Sequence, residues 1–126
     1  LNYPELLAND NQHSLFNNIH DVSWGISNPI STNFTLNKIQ QDFLELEHKS
    51  SFDLVYFDAF GPRVQPHLWT STMFKRIFNA LKPHGVLVTY SAKGVVRRSM
   101  QAVGFSVERL DGPPGKREML RATKPA

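Results

Sequence analysis

Between Phe52 and Pro62 the chain reads Phe-Asp-Leu-Val-Tyr-Phe-Asp-Ala-Phe-Gly-Pro, a short run of β-forming residues that stops at an acid and enters a Gly-Pro turn. A helical pattern follows from about Pro66. Strand, turn and helix in that order spell one unit of an open α/β sheet, because parallel strands need a crossover that is usually a helix. In such sheets ligands sit outside the carboxyl ends of the strands, so Asp58 stands where chemistry is expected. A carboxylate on a rigid strand end can take a proton or hold a cation.

The pattern downstream is sharp. Residues 66–81 are predicted as a helix, with Pro66 in a first turn where its missing N–H costs nothing. Trp69, Phe74, Ile77, Phe78 and Leu81 form its apolar face, and Lys82-Pro83-His84-Gly85 stops it. Val86 to Tyr90 reads as another buried strand. Val95, Val96, Met100 and Val103 mark a second helix, closed by Gly104. Phe105 to Leu110 is a strand, Gly112-Pro113-Pro114-Gly115 a tight connection, and Glu118 to Ala122 a last strand.

The opening third is less determined. Tyr3, Leu6 and Leu7, then Leu15, Phe16 and Ile19, space as helix faces interrupted by Asn9-Asp10-Asn11. Trp24 to Pro29 reads as loop. Asn33 to Ile39 alternates as a half-buried strand, with Phe34 and Leu36 on the apolar side. Gln41-Asp42-Phe43 follows its carboxyl end, and Leu44 to His48 suits a short helical turn. The whole order gives a right-handed, mostly parallel sheet closed by a hairpin, with one antiparallel strand at an edge. Such a sheet resembles the C-terminal half of the Rossmann-like methyltransferase fold.

Length and composition set limits. A chain of 126 residues is expected to form one domain, 1–126, with a modest core. Hydrophobic content of 40% and charged content of 20% argue against disorder. No apolar run approaches the roughly 20 residues that span a bilayer, and no signal peptide is read at the N-terminus. There is no cysteine, which excludes disulfides and thiolate metal sites. A soluble, cytoplasmic domain is expected, without a membrane partner. Beginning at Leu1 rather than Met, it also reads as an N-terminally truncated piece of a longer protein.

The net charge of +3 conceals a polarity. Residues 1–60 carry two Lys/Arg against eight Asp/Glu, a balance of −6, and residues 61–126 carry twelve against three, a balance of +9. Two readings stand: contact with a polyanion, or simple solvation of two helix faces. The five histidines show no metal spacing, so no metal is expected. A G-x-S-x-G nucleophile turn is absent.

Several short motifs occur in register. They are Phe57-Asp58-Ala59-Phe60-Gly61-Pro62, Pro66-His67-Leu68-Trp69-Thr70, Thr89-Tyr90-Ser91-Ala92, Val96-Arg97-Arg98, Gly104-Phe105 and Gly115-Lys116-Arg117-Glu118-Met119-Leu120. Together, from about Phe34 to Ala122, they resemble the methyltransferase domain of the bifunctional tRNA 5-methylaminomethyl-2-thiouridine biosynthesis protein family. The resemblance implies S-adenosylmethionine as cofactor and tRNA as partner. It also implies methylation of the aminomethyl nitrogen on a wobble uridine, and a flavin-dependent oxidase either fused or separate. The family's glycine-rich cofactor loop and ribose-gripping acid fall before Leu1, and no G-x-G-x-x-G is present. The acid after the family's third strand falls on Asp42, facing the adenine with Phe43, although Gln41 replaces the usual preceding glycine. The acid ending its fourth strand falls on Asp58, with Ala59 also against the cofactor.

Methyl transfer to an amine needs the amine unprotonated and aligned with the sulfonium carbon. Asp58 is expected to hold that amine and accept its proton; the alternative is that it caps its own turn. Asp42 either accepts from the adenine amino group or N-caps the turn at Leu44. Phe60, Pro62 and Tyr90 are assigned to the substrate side; Phe60 and Trp69 are read as core or pocket wall, or as base-stacking surfaces. Arg63, Lys93, Arg97, Arg98, Lys116 and Arg117 form a candidate tRNA track. Two rival readings stay open: a methyltransferase for another amine, and a cofactor-free fragment acting as an interaction module.

Overall fold

A computed structural model of the protein describes residues 24–25, 27–112, 114–115 and 118–126. The helical spacing read over 3–19, together with Pro113, Lys116 and Arg117, lies outside the described residues. The chain divides into two compact units, Leu1–Gln41 and Asp42–Ala126.

In the first unit the described residues form a hairpin. Strand β1 (Ser27–Ser31) pairs antiparallel with β2 (Phe34–Asn37), with Ser27 opposite Asn37 and a register shift between Pro29 and Ser31. This corrects the sequence reading twice. Part of the expected loop is a strand, and the strand expected over 33–39 is shorter and poorly buried, with Phe34 exposed. Proline is tolerated because a two-stranded ribbon leaves outward amides free of ladder bonds. Two strands alone also offer no second layer to cover Phe34.

The second unit carries the sheet. After a 3-10 turn at Phe43–Glu45 come β3 (Phe52–Phe57), a 3-10 turn at Pro66–Trp69, α1 (Ser71–Ala80) and β4 (Leu81–Thr89). Helix α2 (Gly94–Ala102), β5 (Ser106–Leu110) and β6 (Met119–Thr123) follow. The strand order is β3-β4-β6-β5. β3 and β4 are parallel, while β6 is antiparallel to both β4 and β5.

The closing hairpin thus forms as expected, but its return strand is not at an edge. β6 inserts between β4 and β5. The reason is visible in the side chains. Leu120 and Ala122 of β6 are fully buried, whereas β5 carries Glu108 and Arg109 in solvent and suits a margin.

Both helices pack on one face of the sheet. Phe57, Leu87, Leu120 and Ala122 meet Phe74 and Ile77 of α1 and Val96 and Met100 of α2 in a single core. The ring of Phe57 lies 5.0 Å from Trp69 and 5.8 Å from Phe74, both edge-on. On the opposite face Leu54 and Tyr56 of β3 are exposed.

Helix boundaries shift for local reasons. Thr70 adopts extended dihedrals and its Oγ1 accepts from the Met73 N–H at 3.3 Å, which starts α1 at Ser71 rather than Pro66. β4 begins at once at Leu81 and absorbs the expected stop as an irregularity, with His84 at φ +68°. On α2 the buried stripe is Val96 and Met100 with Val103 partly buried, and Val95 faces solvent. Spacings of four and three keep residues on one helical side; a neighbour is 100° away.

Candidate active site

The parallel pairing sets Phe57 beside Thr89, so β3 and β4 end level and their loops emerge side by side. Asp58 leaves the first strand exposed to solvent. It lines a hollow of about 320 Å³ together with Tyr56, Val88, Thr89, Tyr90 and Met119. Its carboxylate makes no hydrogen bond and no ion pair with any described residue, so the turn-capping role weighed for it is not observed.

The backbone beyond Asp58 is held instead by other side chains. Tyr90 Oη donates to the Ala59 carbonyl at 2.7 Å, and Trp69 Nε1 donates to the Phe60 carbonyl at 2.7 Å. The Phe60 N–H donates to Gln65 Oε1 at 3.1 Å. The amides of Val64 and Gln65 then close on the Gly61 carbonyl at 2.9 and 3.0 Å. Ala59 is buried beneath this loop while the Phe60 ring projects outward.

A second hollow of about 570 Å³ adjoins the first, with Tyr90 as the shared wall. Gly61, Pro62 and Arg63 from one loop, Ser91 to Lys93 from the other, and Glu118 complete it. Arg63 and Lys93 are exposed and have no carboxylate partner among the described residues. Arg97 and Arg98 lie one turn into α2 and line neither hollow. Among the described basic residues, Arg63 and Lys93 are therefore the ones brought to the site.

Asp42 takes the structural role that was weighed for it. Its Oδ1 accepts from the Leu44 N–H at 2.9 Å and caps the 3-10 turn, leaving Oδ2 as a further acceptor. The half-exposed ring of Phe43 stands 6.2 Å from Phe57, the residue before Asp58. Phe43 thus borders the same strand end as Asp58, and neither it nor Asp42 lines either hollow. Sequence reasoning missed Gln65 and Glu118. Gln65 sits in an irregular stretch with no period to mark it, and Glu118 lay inside a recognised motif without a role. Among the described residues, no helix is long and apolar enough to cross a membrane.

A family model described as S-adenosyl-L-methionine-dependent methyltransferase matches residues 12–125. The tRNA 5-methylaminomethyl-2-thiouridine biosynthesis bifunctional protein of Psychrobacter sp. (strain PRwf-1) is 34% identical over 91 residues, covering 72% of this chain and 12% of that protein. Its namesake from Actinobacillus pleuropneumoniae serotype 5b is 36% identical over 78 residues, covering 62% of this chain and again 12% of the relative. The chain therefore spans about an eighth of the length of these curated relatives. Among solved structures, MnmC2 from Aquifex aeolicus superposes with a TM-score of 0.60 at 30% identity, covering 71% of this chain and 32% of that one. Spermidine synthase from Thermotoga maritima shares the fold, with a TM-score of 0.54 at 19% identity, covering 70% of this chain and 35% of that one.

Proposed function

The chain belongs to the S-adenosyl-L-methionine-dependent methyltransferase family, and from that premise we propose that it methylates the aminomethyl nitrogen of a modified wobble uridine in tRNA. The observation that carries this reading is the Asp58 carboxylate, free of partners among the described residues at the ligand-side end of β3 and facing a hollow that adjoins Arg63 and Lys93. The curated relatives named for 5-methylaminomethyl-2-thiouridine biosynthesis support the substrate class.

When bound, S-adenosylmethionine supplies a methyl carbon already activated by the positive sulfur. The residues present fit its adenine end: Asp42 Oδ2 remains open to accept from an exocyclic amine, and the exposed Phe43 ring offers an apolar face. The chain's own part is alignment and proton handling. Asp58 accepts a hydrogen bond from the incoming amine, holds its lone pair toward the methyl carbon, and takes the proton that the new N–C bond makes acidic. Arg63 and Lys93 neutralise phosphates flanking the modified nucleoside. Tyr90 and Pro62 wall the space between, with Ala59 beneath. Arg97 and Arg98, and Lys116 and Arg117 from outside the described residues, extend the basic track. A flavin-dependent oxidase, fused or separate, is the expected companion, in keeping with relatives named as bifunctional.

The experiment uses the full-length protein, labelled S-adenosylmethionine, and two tRNAs that differ in the aminomethyl group. Label is expected only on the tRNA that bears the amine. Equal labelling of both, or of neither, would remove this reading.

A further inference from the structure

The segment 58–65 belongs to no helix or strand, and two of its apolar side chains are out in solvent, Phe60 at 71% and Val64 at 70%. Of its side chains Ala59 reaches the core, which leaves little packing to hold the rest. Yet three successive backbone groups just after Asp58 are each engaged by a side chain. The Ala59 carbonyl is met by Tyr90, the Phe60 amide by Gln65 and the Phe60 carbonyl by Trp69.

Two of these side chains come from separate elements but share one ring cluster. Trp69, in the 3-10 turn before α1, packs edge-on to Phe57 at 5.0 Å and to Tyr90 at 5.9 Å. Tyr90 follows β4. Trp69 is buried and needs a partner for its indole N–H, whereas Tyr90 is 44% exposed and its hydroxyl is free to turn to water. Here both tips are spent on consecutive carbonyls of the loop that begins with Asp58. With those carbonyls each holding a donor, the exposed Asp58 carboxylate has no partner among the described residues, and neither has the buried Thr89 Oγ1 on the neighbouring strand.

We propose that Trp69 and Tyr90 are positioning residues for Asp58. They fix the depth and direction of its backbone against the level ends of β3 and β4, so that the exposed carboxylate meets an incoming N–H. Gln65 completes the clamp from within the loop. The alternative assignment of Tyr90 to substrate applies to its ring face, which lines both hollows; its hydroxyl serves the protein's own backbone. The holding of the loop rests on hydrogen-bond geometry, and only its catalytic consequence rests on the function proposed above. A misplacement of the order of an ångström at a reacting group is enough to slow the chemistry markedly.

The test is Tyr90→Phe in the full-length protein, which removes one oxygen and keeps the ring. Hydrogen exchange is followed at the amides of Phe60, Val64 and Gln65, alongside steady-state methyl transfer to aminomethyl-bearing tRNA. These amides are expected to exchange about tenfold faster and kcat to fall about tenfold, with KM for S-adenosylmethionine and the melting temperature unchanged. Trp69→Phe is expected to act in the same direction. Wild-type exchange in Tyr90→Phe, or faster exchange with kcat intact, overturns the proposal. Should the wild-type protein transfer no methyl to tRNA, the substrate reading falls while the exchange measurement still decides whether the clamp holds the loop.

Discussion

Lys124 reaches back from the residue after β6 to the end of α1, where its Nζ donates to the Phe78 carbonyl at 2.9 Å and stands 4.7 Å above the Phe78 ring. A second bond runs to the Leu81 carbonyl at 2.8 Å. Helix C-termini leave carbonyls without intrahelical partners, and a cation there is favoured by the helix dipole. One ammonium thus closes α1 and ties the last strand to it. Lys124→Met keeps the stem but strips the charge, and is expected to cost about 2 kcal/mol, read as a lower urea midpoint.

Gly104 ends α2 at φ +116°, and an added Cβ would stand 3.1 Å from the Phe78 ring. That ring cannot swing away freely, because Phe105 packs edge-on against it at 5.1 Å. Backbone strain and crowding therefore add. Gly104→Ala is expected to destabilise by roughly 2 kcal/mol by denaturant titration, with little effect on substrate affinity.

Glu108 and Arg121 stand opposite each other on β5 and β6, with Arg121 Nε donating to Glu108 Oε1 at 3.0 Å. That hydrogen bond first, and the guanidinium charge second, hold the Glu108 carboxyl below its ordinary range. A lowered folded value means the contribution is fully present above the unfolded glutamate pKa and is lost as pH falls through the folded one. Both groups are in solvent, so the effect is small. Glu108→Gln is expected to make the acid-side loss of stability shallower while leaving neutral stability nearly unchanged, as read from urea midpoints across a pH series.

Arg63 and Lys93 are the basic side chains that border the larger hollow. If each neutralises one phosphate, replacing both with Ala lowers the slope of log affinity against log salt by about 1.4, at roughly 0.7 per phosphate of single-stranded RNA. Binding isotherms of tRNA over a range of salt concentrations check this. Arg97→Ala, outside both hollows, is expected to change the slope less.

The strands and helices of the second unit were legible because their apolar periods are strong: Phe57, Leu87 and Leu120 on strands, Phe74 and Ile77 on α1, Val96 and Met100 on α2. The inner position of β6 was not read from the chain, although Leu120 and Ala122 alternate with Arg121 while β5 carries adjacent charges. Strand order is a long-range choice, and a hairpin pattern alone does not say which arm takes the inner place. Asp58 was legible as a residue type at a strand end. Its supports were not. Trp69 to Phe60 and Tyr90 to Ala59 are side chain-to-backbone bonds nine and thirty-one residues apart, and such bonds leave no periodic trace. The hairpin of β1 and β2 escaped notice because Pro29 and the polar run around it argue locally for loop.

The most direct test concerns the carboxylate of Asp58. Single-turnover methyl transfer from S-adenosylmethionine to tRNA bearing the aminomethyl group is to be measured for the full-length protein and its Asp58→Ala variant. The rate is expected to fall by about two to four orders of magnitude while tRNA affinity stays within about threefold. A rate in the variant equal to that of the wild type would contradict the role of Asp58 in receiving the amine.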